Sequence, residues 1–258
     1  MRRCSGIGIL LAALLARADQ PAQNLSLEGL QRFNAAYQAW DARQFAAAAE
    51  LFRQATTNAP PSSTNFYWLG TAHFHRMLQL QHQPGAHSNT LAAAAARDEA
   101  LTALEQAVKL NARDAESHAL LGTLYGMKID GNLIRGIRFG PRVQKHCRQA
   151  LELGAKNPRV QYLLGTCQFH MAKQAAEQRA ALGTFLQAER LFEAEAKVPA
   201  GPLEPRWGYG ACLTFIARTC ERLGDQTKAA EYYRKALAWH PSDHLAKEGL
   251  ERVMEKKY

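Results

Sequence analysis

The chain has 258 residues, of which 47% are hydrophobic and 21% charged, so it can bury a core as one large domain or as two small ones. This composition is that of neither an intrinsically disordered protein nor a membrane-spanning one. The formal net charge of +9 is diffuse, and no nucleic-acid recognition motif accompanies it, so we predict no nucleic-acid partner.

The beginning of the chain has the three parts of a secretory signal peptide. Met1-Arg2-Arg3 is basic, Ile7 to Leu15 is a short apolar run, and Ala16-Arg17-Ala18 is typical of a cleavage site. The apolar run is shorter than the roughly 20 residues of a spanning helix, although an anchor that is kept remains the alternative. We therefore predict a signal peptide at residues 1–18, a folded domain at 19–258, and secretion across the inner membrane to the periplasm or the cell exterior.

The rest of the chain repeats a short pattern. Tyr67-Trp68-Leu69-Gly70-Thr71 aligns with Ala119-Leu120-Leu121-Gly122-Thr123 and with Tyr162-Leu163-Leu164-Gly165-Thr166. Trios of residues at helical spacing recur along the chain, each with a large side chain between smaller or polar ones on one face. The five trios are Ala48/Phe52/Ala55, Ala100/Leu104/Ala107, Val143/Cys147/Ala150, Ala188/Phe192/Glu195 and Ala229/Tyr233/Ala236.

With Gly224 before it and Pro241 after it, the last trio resembles the tetratricopeptide repeat (TPR) family position by position. The resemblance implies an all-α, TPR-type α-solenoid of about five helix-turn-helix repeats with a C-terminal capping helix. Through Pro205-Arg206-Trp207-Gly208 the chain also resembles small exported bacterial TPR proteins, which implies architecture and compartment but no activity. The expected repeats cover approximately residues 28–61, 62–114, 115–157, 158–200 and 210–243, and the cap covers 243–257.

Several repeats carry insertions. Ala36 precedes Gly70 by 34 residues, which is the TPR period, but the middle repeats are longer. The excess falls between the two helices of a repeat, at Gln81–Ser88 and at Asp130–Pro141, where turn-forming residues concentrate. We therefore expect turn-rich insertions there, with Pro141 as the first residue of the helix that follows.

The TPR resemblance also implies a concave wall, lined by the first helix of each repeat, on which polypeptides dock. The side chains expected there are aromatic and basic, which suits a protein or peptide partner with apolar anchors and some acid. Each aromatic residue could instead be part of the core. The candidate binding residues are Tyr37, Tyr67, Phe74, His75, Arg159, Tyr162, Phe169, His170, Arg218 and Arg222.

A second candidate surface is basic. The insertion of the third repeat and the residues after it concentrate positive charge at Arg135, Arg138, Arg142, Lys145 and Arg148. One interpretation is peripheral attachment to an anionic membrane or envelope surface. The alternative is a solvated helix face that has no partner.

The sequence contains no catalytic, Walker or dinucleotide motif, so we predict a protein that is not an enzyme and has no cofactor. Cys167 and His170, three residues apart on one helix, form the alternative thiol–imidazole pair. His73, His75, His82 and His87 form the one group that resembles metal ligands. Because residues two apart point to different faces of a helix, we predict no metal site.

Four cysteines follow the predicted signal peptide, and an exported protein can oxidise them. Cys212 and Cys220 lie about 12 Å apart along one predicted helix, which is too far for a disulfide bond between them. Cys147 and Cys167 are the more plausible pair, and buried reduced cysteines are the alternative.

Overall fold

The structure is a computed structural model that describes residues 6–58, 60–82 and 90–255, with side chains described from Gln23 onward except at Thr90. All regular structure in these ranges is helical. The helices are α1 (Gly6–Ala39), α2 (Ala42–Thr57), α3 (Ser63–Gln81), α4 (Thr90–Leu110), α5 (Ala115–Ile129), α6 (Leu133–Gly154), α7 (Pro158–Met171), α8 (Ala175–Glu195), α9 (Tyr209–Arg222), α10 (Gln226–Trp239) and α11 (His244–Glu255).

The helices form five antiparallel pairs, each made of consecutive helices, and α11 packs on the last pair. The predicted all-α fold, its number of repeats and its capping helix are therefore confirmed. The chain divides into two compact units, the first ending at Ala112 and the second beginning at Arg113. The first unit holds the pairs α1/α2 and α3/α4, and the second holds the remaining pairs and α11.

Short polar side chains fix where many of the helices begin. The Asp41 carboxylate accepts hydrogen bonds from the amides of Arg43 and Gln44 at the start of α2. The same kind of cap starts the helices that follow Asp114, Asn132, Asn157 and Asp225. Each cap satisfies an amide that has no partner in the first helical turn, so the helices begin at defined residues.

The core of the first unit is aromatic. Phe33, Phe45, Phe52 and Trp68 are fully buried, and the Phe33 and Trp68 rings meet edge to face with centroids 5.1 Å apart. Such aromatic contacts join α1, α2 and α3 over a large buried area.

In the second unit, glycines of one helix face large side chains of the next. A Cβ on Gly122 would lie 2.7 Å from Cys147 Sγ, and one on Gly165 would lie 2.7 Å from the Phe185 ring. Phe185, not Phe192, is therefore the large residue that packs against the repeat glycine, so the trio predicted for the fourth repeat was placed two turns too late. The error arose because α8 carries a buried phenylalanine after a buried alanine twice, seven residues apart.

The expected insertion at Asp130–Pro141 is mostly helix, and Pro141 lies inside α6 rather than at its first position. The turn is confined to Asp130 and Gly131, which both have positive φ angles. Asn132 then caps α6 by accepting a hydrogen bond from the Arg135 amide. The extra residues of the third repeat therefore lengthen its second helix. In the second repeat, residues 83–88 of the other expected insertion lie outside the described residues.

The segment before α9 explains the Pro205–Gly208 motif. Trp207 is buried, and its ring packs edge to face on Tyr162 with centroids 6.5 Å apart. Gly208 has a φ of 106°, a conformation that side-chain-bearing residues rarely adopt. The motif therefore turns the chain tightly into α9.

Most of the predicted signal peptide belongs to α1, and residues 1–5 lie outside the described residues. Among the helices that the structure describes, none has both the length and the apolar character needed to cross a membrane.

Candidate partner-binding sites

In the first unit, most of the predicted binding residues are packed inside. Tyr67, Phe74 and His75 are 4%, 3% and 3% exposed, while Tyr37 is half-buried. His75 Nδ1 lies 2.9 Å from the carbonyl oxygen of Thr71, and burial lowers the pKa of His75 to about 4. Aromatic rings surround this imidazole, namely those of Phe33, Tyr37, Trp40, Phe45 and Phe74. These side chains build the core, and Tyr37 is the predicted residue that stays partly open.

In the second unit, Arg159 is also a core residue. It is 2% exposed, and its Nε donates a 2.7 Å hydrogen bond to Glu116. Its two terminal nitrogens donate to Glu195 at 2.9 and 2.5 Å. Tyr162 and Phe169 are buried as well. Arg159 therefore links α5, α7 and α8.

The remaining predicted residues of the second unit lie together at the surface. His170 and Arg222 are exposed and Arg218 is half-buried. Arg222 donates a 2.9 Å hydrogen bond to the carbonyl oxygen of Phe169, and its guanidinium carbon lies 3.6 Å from the centroid of that ring. The Arg218 guanidinium carbon lies 5.1 Å from the Phe169 centroid and 5.0 Å from that of Phe215. We call Arg218, Arg222, Phe169 and Phe215 the arginine cluster.

The positive charge of the arginine cluster exceeds the acid beside it, which is Glu221. Across the residues whose side chains are described, neither Arg218 nor Arg222 has a carboxylate within ion-pair distance. The Glu221 carboxylate instead accepts hydrogen bonds from Arg252 at 2.8 and 3.1 Å and from the Tyr233 hydroxyl at 2.9 Å. Burial lowers the pKa of Arg218 and of Arg222, because their surroundings solvate the charge poorly.

An open cavity of about 350 Å³ lies beside the cluster and is lined by Arg218, Glu221, Arg222 and Arg252. Three cations and one carboxylate that is already engaged leave a surplus of positive charge. The cavity can therefore accept a carboxylate or another small anion through charged hydrogen bonds.

Sequence reasoning missed Phe215, Glu221 and Arg252 as parts of this site. Phe215 could have been found, because it lies three residues before Arg218 and seven before Arg222, on the same face of α9. Arg252 belongs to the capping helix, and its approach to Glu221 depends on how α11 packs against α9, which spacing along the chain does not reveal.

The predicted basic patch lies on α6, where all five basic side chains are exposed. The Arg142 guanidinium lies over the Tyr125 ring and donates a 3.2 Å hydrogen bond to its hydroxyl. Arg138 lies over the Phe139 ring, with its guanidinium carbon 5.3 Å from the centroid. We call Arg135, Arg138, Arg142, Lys145 and Arg148 the α6 basic surface.

Cys147 and Cys167 lie together between α6 and α7 and line a small cavity there. Both are free thiols, as are Cys212 and Cys220, so a disulfide remains a prediction. The hydrogen bond with Cys167, together with burial, raises the pKa of Cys147. His170, the other half of the hypothetical thiol–imidazole pair, packs on the Phe169 and Phe215 rings.

The histidines predicted to resemble metal ligands contact different groups. His73 lies 3.0 Å from a Glu99 oxygen, His75 contacts Thr71, and His82 Nδ1 lies 2.8 Å from the Leu78 carbonyl oxygen. His87 lies outside the described residues. Among the described residues, no three His, Cys, Asp or Glu side chains converge as metal ligands would.

A family model described as "Regulator of microtubule dynamics protein 1-3" matches residues 30–258. The fold is similar to that of a thermophilic TPR protein of Thermus thermophilus, with a TM-score of 0.62 and 16% identity over 90% of this chain and 98% of that one. It is also similar to a chain of the Cut9–Hcn1 hetero-tetramer of the APC/C, with a TM-score of 0.58 and 14% identity over 94% of this chain and 42% of that one. Among curated proteins, none matches the chain. These similarities establish the TPR fold.

Proposed function

We propose that this chain, which belongs to the family of regulator of microtubule dynamics proteins 1–3, is a scaffold that binds an acidic segment of a protein partner. TPR-type folds are typically non-enzymatic scaffolds, and stacked helix pairs commonly bind polypeptides. The family description names microtubules, which are polymers of protein subunits, and this also supports a protein as the partner.

One observation carries the proposal. The guanidinium groups of Arg218 and Arg222 are held on the Phe169 ring, next to an open cavity whose one carboxylate, Glu221, is paired with Arg252. Guanidinium groups fixed in this way lose little conformational freedom when they bind a carboxylate. A partner segment would place a glutamate, an aspartate or its terminal carboxylate in the cavity, and an apolar side chain beside Phe215.

The first test measures binding of a fluorescently labelled, glutamate-rich peptide with one phenylalanine by fluorescence anisotropy. Arg222→Gln, which changes an exposed residue, is expected to weaken binding about ten-fold, because one charged hydrogen bond is lost. Arg218→Gln/Arg222→Gln should weaken it further. Equal affinity for this peptide and a glutamine-rich version would contradict the proposal, and so would wild-type affinity in the double variant.

A matched control removes the same charge elsewhere in the second unit. Arg179 and Arg190 are exposed residues of α8. Arg179→Gln/Arg190→Gln should therefore bind the acidic peptide like the wild type. A loss as large as in the cluster variant would show that only net charge matters.

We also propose that residues 1–18 direct export. The family match begins at residue 30 and so leaves this segment outside it. N-terminal sequencing of the protein purified from its native cells should give Asp19 as the first residue, in the periplasmic or extracellular fraction. A chain that starts at Met1 inside the cell would contradict export and would favour a role of the kind that the family description names.

A further inference from the structure

The first turns of α6 expose three aliphatic side chains to solvent. Leu133, Ile134 and Ile137 are 80%, 77% and 74% exposed. Ile137 lies three residues after Ile134 and four after Leu133, so it neighbours both on the helix surface and the three side chains form a single apolar patch. Isoleucine and leucine are usually buried, and a cluster this exposed indicates a binding surface.

The patch lies away from the core of the second unit. Phe139, His146 and Ala150 mark the buried face of α6, and the 3.6-residue helical period places the aliphatic trio on the other side. This end of α6 also has space around it. A Cβ on Gly140 would meet nothing within 4 Å, and one on Gly136 would meet only an Ile129 methyl at 3.8 Å. The trio therefore stands on a protruding part of the helix rather than in a groove.

Positive charge lies along one side of the patch. Between residues 128 and 148 the sequence has six lysines and arginines but a single acid, Asp130. Asp130 lies 4.0 Å from Arg135, at the limit of an ion pair. The basic side chains are Lys128 and the α6 basic surface. An exposed apolar face flanked by arginine and lysine is the arrangement of helices that lie in a membrane interface.

We propose that α6 docks the protein on an anionic lipid bilayer. Leu133, Ile134 and Ile137 enter the boundary between headgroups and acyl chains, while Arg138, Lys145 and Arg148 bind lipid phosphates. A bilayer can cover a protruding helix from all sides, whereas a protein partner would need a matching groove. The charge balance fits an anionic surface, because lipid phosphates attract each nearby arginine and lysine. This site is separate from the arginine cluster and does not depend on the scaffold function.

The test is flotation of the full chain with vesicles of phosphatidylcholine alone and of phosphatidylcholine with phosphatidylglycerol. The protein should bind the mixed vesicles and not the neutral ones, and added salt should weaken binding. Leu133→Ser/Ile134→Ser/Ile137→Ser and Arg138→Gln/Lys145→Gln/Arg148→Gln should each bind about ten-fold more weakly or worse. Because all six side chains are exposed, neither variant should change the urea midpoint of unfolding.

Matched controls distinguish this docking from effects of the net charge and from nonspecific hydrophobic binding. Arg179→Gln/Arg190→Gln/Lys247→Gln removes three exposed charges elsewhere in the second unit, and Leu91→Ser removes an aliphatic side chain that is 85% exposed. Both controls should bind mixed vesicles like the wild type. The proposal fails if the wild type binds neutral and anionic vesicles equally well, or does not bind vesicles at all. It also fails if the Leu133→Ser/Ile134→Ser/Ile137→Ser variant binds vesicles like the wild type but no longer binds a protein that the wild type binds.

Discussion

Replacing Arg159 by methionine is expected to lower the free energy of unfolding by about 3–5 kcal/mol, because two largely buried carboxylates lose their cation. The side chains of Glu116 and Glu195 are only 9% and 16% exposed. Glu116 would keep its 2.8 Å hydrogen bond from Asn157, but one neutral amide does not replace a guanidinium. Urea unfolding followed by far-UV circular dichroism measures the loss.

Two further variants identify the cause of that loss. Arg190→Met removes an exposed arginine of α8 and should change the free energy of unfolding by less than about 0.5 kcal/mol. In Arg159→Met/Glu116→Gln/Glu195→Gln, the carboxylates become neutral amides, so most of the lost stability should return. If the triple variant is as unstable as the single one, packing of the arginine stem and not unpaired charge explains the effect.

Arg159 also shows why only part of the binding surface could be predicted. Arg159 and Tyr37 both fall on the first helix of a pair, yet one is buried and the other is partly open. The network around Arg159 needs Glu116 from α5 and Glu195 from α8, which lie 43 and 36 residues away in sequence. Spacing on one helix predicts which side chains share a face, but it does not reveal what covers that face.

On α6, spacing along the helix likewise did not reveal which residues are covered, but here the unexpected result was exposure instead of burial. The basic residues were predicted as a surface, since charged side chains are rarely buried. Leu133, Ile134 and Ile137 were not, because aliphatic residues at helical spacing usually belong to a core. Here the three side chains lie on the face of α6 opposite the buried Phe139, His146 and Ala150, so they have no core to enter. The hydrophobicity of a sequence does not tell the two situations apart.

The repeat itself was predictable because steric contact with the next helix requires a glycine at a fixed position. Gly70, Gly122 and Gly165 are each followed by a helix with a side chain that occupies the space of the missing Cβ, namely Leu104, Cys147 and Phe185. Close helix packing at these points requires a small residue, and this requirement is why a glycine recurs at the same position of each repeat. Insertions alter the distance to the facing residue. For this reason the glycine of the fourth repeat could be found while its partner, Phe185, was misplaced.

Phe185→Ala is expected to lower the free energy of unfolding by about 3–5 kcal/mol, the usual loss when a buried phenylalanine is truncated in a core. Phe185 is fully buried, and its ring stacks on Phe215 with centroids 5.5 Å apart. Gly165→Ala alone should cost about 1–3 kcal/mol, because its new methyl group would meet that ring at 2.7 Å. Urea unfolding again measures both losses.

The double variant Gly165→Ala/Phe185→Ala tests this packing directly. If the glycine exists to make room for the ring, its methyl group will fit once the ring is gone, so the two losses will sum to more than the loss in the double variant. Gly183→Ala is the control, since Gly183 lies exposed on α8 with nothing within 4 Å of an added Cβ. That change should stabilise the helix by about 0.5–1 kcal/mol. Additive losses in the double variant would mean that Gly165 is required for a reason other than contact with Phe185.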